Sequence, residues 1–201
     1  MKYIITGYKG LIGSALRKRL DEAGHECKMT YDIRDNQDIN KIDKLKRSAD
    51  IVFHLAAHCK INDGTLNPKL PFEANVCGIH HLLEFCRKNG IKKVVIFSSS
   101  RVLSKEENPY TASKKYVENL TKAYYDCYGI EYIIVRPSTV YAPCDDKTGR
   151  LLTNWCRDAW KGIELKIYGD ENKTLDFTHI DDFNDGVMLL INNWEQTKNK
   201  A

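Results

Sequence analysis

Lys2-Tyr3-Ile4-Ile5-Thr6, followed at once by Gly7-Tyr8-Lys9-Gly10-Leu11-Ile12-Gly13, is the stretch on which the fold turns. The first five residues are a short β-rich run ended by Gly7. Leu11, Ile12, Ala15, Leu16 and Leu20 then recur at helical spacing up to Gly24, a helix stop. Glycines at such a strand-to-helix turn permit a tight bend, close approach of backbone to a pyrophosphate, and close helix–strand packing. The helix N-terminus behind them offers free N–H groups to an anion. A G-x-x-G-x-x-G spacing alone is also an ordinary turn; its position directly after the first strand points to dinucleotide binding.

Outward from this turn the chain alternates. His25–Tyr31 reads as a second strand, Ile39, Ile42 and Leu45 suggest a helix, and Ile51-Val52-Phe53-His54-Leu55 is a buried strand. A helix carrying Val76, Ile79, Leu82, Leu83 and Phe85 stops at Gly90, and Lys93–Phe97 is again a buried strand. Tyr110–Tyr128 is a long helix stopped by Gly129, and Glu131–Arg136 is a buried strand closed by Pro137. Strands that are continuous apolar runs and alternate with helices predict a parallel sheet covered on both faces. Beyond Pro143 the expectation is a helix near Leu151–Trp160, a short strand around Leu165–Tyr168, a closing helix from Asp181 to about Trp194 and a frayed tail.

The bulk numbers exclude several classes. At 201 residues the chain holds one well-cored domain, or one with a small appendage. The net charge of +4 comes from lysines and arginines interleaved with acids, as in Arg17, Lys18 and Arg19 followed by Asp21 and Glu22. That pattern is a solvated face and not a nucleic-acid footprint. Seven cysteines form no Cys-x-x-Cys pair and no metal spacing, so no metal is expected and a reducing cytoplasm is. The N-terminus has no signal-peptide pattern and no apolar run is long enough to span a membrane.

A second stretch carries chemistry. In Pro109-Tyr110-Thr111-Ala112-Ser113-Lys114 a tyrosine and a lysine stand four residues apart at the start of a helix, so both leave one face. An ammonium near a phenol favours the phenolate and makes tyrosine a usable proton shuttle. Tyr-x-x-x-Lys by itself is a weak pattern. It gains weight from the glycine turn and from Ser98-Ser99-Ser100 at a strand end just before it.

Taken in order, seven motifs resemble the extended short-chain dehydrogenase/reductases, in particular the NAD-dependent epimerase/dehydratase group acting on nucleotide sugars. They are Thr6-Gly7-x-x-Gly10-x-x-Gly13; His54-Leu55-Ala56-Ala57; Asn75-Val76-x-Gly78; Phe97-Ser98-Ser99-Ser100; Pro109-Tyr110-x-x-x-Lys114; Arg136-Pro137 with Val140-Tyr141-x-Pro143; and Asp176-Phe177-Thr178-His179-Ile180-Asp181-Asp182. The resemblance implies a Rossmann-like doubly wound α/β sheet over residues 1–145. Residues 146–201 would form an abbreviated substrate-binding region, with a segment at about 175–195 returning to the first domain.

It further implies Tyr110 as acid/base and Lys114 as the group that holds the nicotinamide ribose and lowers the tyrosine pKa. Ser99, with Ser100 as fallback, would bond the reacting sugar oxygen. The cofactor is expected along Gly7, Lys9, Gly10, Leu11, Ile12 and Gly13; along Leu55, Ala56, Ala57 and Asn75; and along Ser98, Tyr110, Lys114 and Pro137. Asp32, 19 residues after Gly13, is expected on the ribose hydroxyls, with Ile33 against the adenine. NAD is favoured, while Lys9 and Arg34 leave NADP open. His179 matches an architectural contact.

Four departures stand out. Leu103-Ser104 follows Val102 where the group usually has Tyr-Gly, the loop between Ser99 and Tyr110 is short, and Leu175 sits where an arginine is common. The chain also stops where relatives continue. The expected activity is hydride exchange between NAD(P) and a sugar or nucleotide sugar, as an epimerase, dehydratase or keto-sugar reductase. A catalytically inactive NAD(P)-binding module is the alternative. A homodimer is expected through the helix bearing Tyr110, whose Val117, Leu120, Tyr124, Tyr125 and Tyr128 exceed what one buried stripe needs.

Overall fold

The computed structural model describes residues 1–30, 49–143, 149–167, 172 and 174–201. Five parallel strands form the central sheet: β1 (Lys2–Thr6), β2 (Glu26–Thr30), β3 (Ile51–His54), β4 (Lys93–Phe97) and β5 (Glu131–Val135), in the order β2-β1-β3-β4-β5. β1 leads to α1 (Leu11–Glu22). Between β3 and β4 lie α2 (Ile61–Leu66), α3 (Lys69–Pro71), a π-helical stretch Phe72–Cys77 and α4 (Gly78–Asn89). A 3₁₀ turn, Ser100–Leu103, and α5 (Pro109–Tyr128) connect β4 to β5. A two-stranded parallel pair follows, β6 (Thr139–Tyr141) with β7 (Phe177–His179), together with α6 (Leu151–Trp160), α7 (Ile180–Asn192) and α8 (Trp194–Thr197).

The alternation of side chains along each strand divides the core into two layers. On one face Ile4, Val52, Val94, Ile96 and Ile134 pack with Ile79, Leu82 and Leu83 of α4 and with Val117 and Tyr124 of α5. On the other, Tyr3, Ile5, Phe53, Val95, Phe97 and Ile133 pack with Leu16 and Leu20 of α1 and with Phe183, Val187 and Ile191 of α7. Both layers are needed because a parallel sheet has no solvent face, and the predicted α/β class follows from those apolar runs. The chain passes from β1 to β2 on one side and then returns to β3 on the other. The crevice outside the ends of β1 and β3 is therefore the place where a doubly wound sheet accepts a ligand.

α5 shows why the decisive helix starts where it does. The Asn108 side chain accepts from the Thr111 N–H at 2.9 Å, Pro109 occupies the first turn, and Gly129 ends the helix in the left-handed conformation at φ 64°.

Three sequence expectations about these elements differ from the structure. Residues 165–167 form no strand, and Tyr168 lies outside the described residues, as does the helix expected around Ile39, Ile42 and Leu45. The closing helix breaks at Asn193 into α7 and α8. The helix expected from Val76 begins as α4 at Gly78, the turn before it being π-helical.

The tail is not frayed. Trp194 Nε1 and Lys198 Nζ donate to the Glu131 carboxylate at 2.8 and 2.7 Å, Asn199 turns the chain at φ 60°, and the Ile134 N–H donates to the Lys200 carbonyl at 2.9 Å. The last residues thus pair with the open edge of β5, whose unpaired backbone groups a purely local reading of tail composition does not consider.

Candidate active site

The glycine turn is built by close approach. Gly10 N–H donates to the Gly7 carbonyl at 3.0 Å and the first α-helical bond, Ser14 N–H to Gly10 O, is 2.9 Å. Gly7 has φ +69°, and a Cβ there would sit 2.6 Å from the Ala56 nitrogen. At Gly13 a Cβ would sit 2.3 Å from the Gly7 carbonyl oxygen. No side chain caps α1 and no acid occupies its first turn. The helix therefore presents its leading N–H groups and partial positive charge with no internal anion to take them. The donor set fits a diphosphate, and a side chain at Gly7 or Gly13 would collide with the backbone that shapes the turn.

Across the crevice, β3 ends in His54, which is fully buried. Thr6 Oγ1 and His54 Nδ1 are 3.0 Å apart, and the same hydroxyl accepts from the Ala56 N–H at 3.1 Å. This couples the loop after β3 to the turn after β1. Burial first, and the charge of Lys114 second, push the His54 imidazole down to about 3, so the ring is neutral.

β4 brings in the serines and α5 the tyrosine and lysine. Ser99 caps the 3₁₀ turn by accepting from Arg101 N–H at 3.2 Å. Tyr110 is only 7% exposed, and burial raises its phenol above the ordinary value. A hydrogen bond from Ser99 pulls in the opposite direction, as do the guanidiniums of Arg150 and Arg101. Lys114 is buried, donates its Nζ to the Phe97 carbonyl at 2.8 Å, and is pushed down to about 8, chiefly by desolvation. A lysine at about 8 carries its proton at neutral pH but is poised to lose it just above.

Gly7, Gly10, Leu11, Ile12 and Gly13 line a single cleft of about 800 Å³ together with Leu55, Ala57, Ser98, Ser99, Tyr110, Lys114 and Pro137. Most of the residues expected from sequence therefore come together, from five separate segments. Three do not line it. Lys9 lies beside the Tyr8 ring, 5.9 Å from its centroid. Ala56 packs against the core and backs Gly7. Asn75 is buried behind the site: its Oδ1 accepts from His58 N–H at 2.8 Å, and its Nδ2 donates to His58 O at 3.1 Å and Ser113 Oγ at 2.8 Å. Ser113 in turn donates to the Tyr110 carbonyl at 2.7 Å, so Asn75 pins the loop after β3 to the first turn of α5. Asp32, Ile33 and Arg34 lie outside the described residues.

His179 caps α7 by accepting from the Asp181 N–H at 3.3 Å. Sequence reasoning missed Cys59, Arg101 and Arg150, all lining the cleft. Arg101 was readable in part, being two residues beyond Ser99. Arg150 had no local signal; its place in the cleft is fixed by a bond from its guanidinium to the Val140 carbonyl at 2.8 Å.

A sequence profile described as the NAD dependent epimerase/dehydratase family matches residues 3–201. The chain belongs to this family. Among its relatives are the UDP-glucuronate 4-epimerase of Thermodesulfobacterium geofontis, 26% identical, with 94% of this chain and 71% of the relative covered. A dTDP-4-dehydro-6-deoxy-D-allose reductase of a Streptomyces species is 29% identical over 94% of this chain and 72% of the relative. The Thermus thermophilus UDP-glucose 4-epimerase, solved as a complex with NAD, superposes with a TM-score of 0.83 at 25% identity, covering 94% of this chain and 74% of that one. In epimerase/dehydratase terms, the glycine turn and the Ser/Tyr/Lys set lie in one crevice of the family's parallel sheet. Among the described residues, no helix is long and apolar enough to cross a membrane.

Proposed function

We propose that this chain is an enzyme that modifies nucleotide sugars by hydride exchange with NAD held in the cleft. The observation that carries the reading is the convergence of Ser99, Tyr110 and Lys114 on the cleft that begins at the uncapped N-terminus of α1. Gly7, Gly10 and Gly13 would hold the cofactor's diphosphate, with Leu55 and Ala57 along its length. NAD supplies the hydride acceptor and, at its nicotinamide ring, a positive charge; the protein positions the partners and moves the proton.

Ser99 holds the reacting sugar oxygen by its hydroxyl, which also bonds Tyr110. Tyr110 takes the proton from that oxygen as the carbonyl forms and returns it on reduction. Lys114, charged below about pH 8, lines the same cleft, but contrary to the expectation from their spacing it is not among the groups that lower the Tyr110 phenol, which burial leaves raised. A second copy of the chain packs, in the same reading, on the exposed aromatics Phe72 and Tyr116, which line one groove beside the start of α5. Val117 and Tyr124 are core residues and contribute nothing to such a face. Sedimentation of the wild type against Tyr116→Glu tests this: a dimer that becomes monomeric is expected, and a wild-type monomer removes it.

The enzymatic reading is tested by loading the protein with NAD and offering UDP- and dTDP-sugars. Product formation is followed by sugar analysis and by the reduced-nicotinamide absorbance band. Turnover of at least one nucleotide sugar is expected. Bound NAD with no conversion of any of them would favour a non-catalytic dinucleotide-binding module instead.

A further inference from the structure

Tyr110, Lys114 and Glu118 stand at successive four-residue steps of α5, which puts them on one face of the helix. All three are buried. Tyr110 and Lys114 line the cleft; Glu118, one turn further on, does not. A buried carboxylate is costly unless it is paired, and Glu118 is paired on both oxygens. Arg136 donates its Nε and Nη2 to them at 2.9 and 2.6 Å, a fork from the residue between β5 and Pro137 of the cleft. The buried Ser98 hydroxyl faces the same carboxylate, at a geometry short of a formed hydrogen bond. Burial pushes the Glu118 carboxyl up, but the arginine fork outweighs it and holds the group below its ordinary range, so the carboxylate is ionised.

Lys114 is enclosed from several sides. β4 supplies the Phe97 carbonyl, which accepts from its Nζ at 2.8 Å, and β3 supplies the neutral His54 imidazole. The loop after β3 brings Cys59, and α5 itself brings Tyr110 and Glu118. Around Glu118 in turn lie Arg136, Tyr132 of β5, and Lys122 one turn further along α5. Desolvation works to strip the proton from Lys114; Cys59 and then Glu118 oppose it, and of the two only Glu118 is a carboxylate.

We propose that Glu118, anchored by Arg136, is a positioning residue that keeps the Lys114 ammonium charged where it faces the cleft. An ammonium has donors left for a bound molecule beyond the one bonded to Phe97, whereas the neutral amine loses both a donor and the charge. The consequence for turnover rests on the proposed function, which places the reacting groups in this cleft; the charge on Lys114 is set with or without NAD.

The test reads Lys114 directly. The NMR shift of its Cε is titrated against pH in protein without NAD, the signal being assigned by its loss in Lys114→Met. All titrations are made in a Cys59→Ser background, so that the thiol does not contribute. Relative to that background the midpoint should fall by roughly one pH unit in Glu118→Gln, where the anion is gone and the Arg136 cation remains. It should also fall in the double variant Glu118→Gln with Arg136→Met, which leaves no unpaired buried charge and decides the matter if Glu118→Gln fails to fold. Glu118→Asp, which keeps the charge, should restore most of the midpoint. In NAD-loaded protein turning over a nucleotide sugar, the alkaline limb of kcat should move down with the Lys114 midpoint. An unmoved midpoint in the folded variants, or an equal fall in Glu118→Asp, overturns the inference, since a purely structural role alters stability and not the titration. A shifted midpoint in a protein whose wild type converts no sugar counts against the proposed function alone.

Discussion

Gly7 and Gly24 offer a matched pair of perturbations. Both are left-handed, at φ +69° and +75°, so alanine at either position incurs the same backbone penalty, about 1–2 kcal/mol. They differ in what a methyl would meet. At Gly24 nothing lies within 4 Å, whereas at Gly7 the Ala56 nitrogen and the Leu55 carbonyl carbon would be 2.6 and 2.7 Å away. These are backbone atoms, held by the Thr6–Ala56 hydrogen bond and the end of β3, and cannot swing aside. Overpacking of that kind adds about 1–3 kcal/mol, giving about 2–5 kcal/mol for Gly7→Ala. For a chain of this size each kcal/mol moves the melting temperature by roughly 2–4 °C. Gly24→Ala should therefore melt a few degrees below wild type with an unchanged NAD Kd. Gly7→Ala should melt roughly 4–20 °C below it and bind NAD at least about tenfold more weakly, because relief of the clash opens the cradle. The assay is thermal unfolding by circular dichroism, paired with NAD titration of each variant. Equal melting temperatures and equal NAD affinities for the two variants would refute the close-approach reasoning.

Other expectations concern groups around the site. His54 is held at about 3 against an ordinary 6.5, so between those values the unfolded chain binds a proton that the folded chain refuses. Stability should therefore fall on acidification through that window, by up to about 1.4 kcal/mol per pH unit from this residue. His54→Asn should flatten that part of a urea-stability profile, and an unaltered slope would remove His54 as the cause. Asn75→Ala deletes three hydrogen bonds binding His58 to Ser113 and should cost about 2–4 kcal/mol in urea unfolding. A neutral result would show that the clamp is dispensable. Arg136 forms two bonds, at 2.9 and 2.6 Å, to the nearly buried Glu118, whose carboxyl is held below its ordinary range by that contact against the opposing effect of burial. Arg136→Met should destabilise by about 3 kcal/mol, and Glu118→Gln in the same chain should recover part of the loss. Absence of recovery would point to lost packing by the arginine stem.

The parallel sheet and its two-layer core were legible because Ile51–Phe53 and Val94–Ile96 are apolar without interruption, and because Gly24, Gly90 and Gly129 mark helix ends. The glycine turn and the Tyr110/Lys114 pair were legible for the same reason: each is a local spacing with a local physical cause. What sequence did not give are relations set by tertiary packing. Asn75 was read as a polar residue near the active-site backbone, yet its amide is fully engaged with His58 and Ser113, an arrangement that no spacing encodes. Arg150 and Leu175 line the cleft although no local spacing says so, Arg150 being held there by its bond to the Val140 carbonyl. The C-terminal residues look polar and frayed until the open edge of β5 is seen beside them.

The most direct measurement is turnover of an NAD-loaded Tyr110→Phe variant on a nucleotide sugar that the wild type converts, with NAD affinity measured in parallel. Removing the one hydroxyl should lower the rate by at least about 10²- to 10⁴-fold while the NAD Kd stays within a few-fold, since the ring still packs and only the proton path is gone. Undiminished turnover would contradict the assignment of Tyr110 as the group that moves the proton.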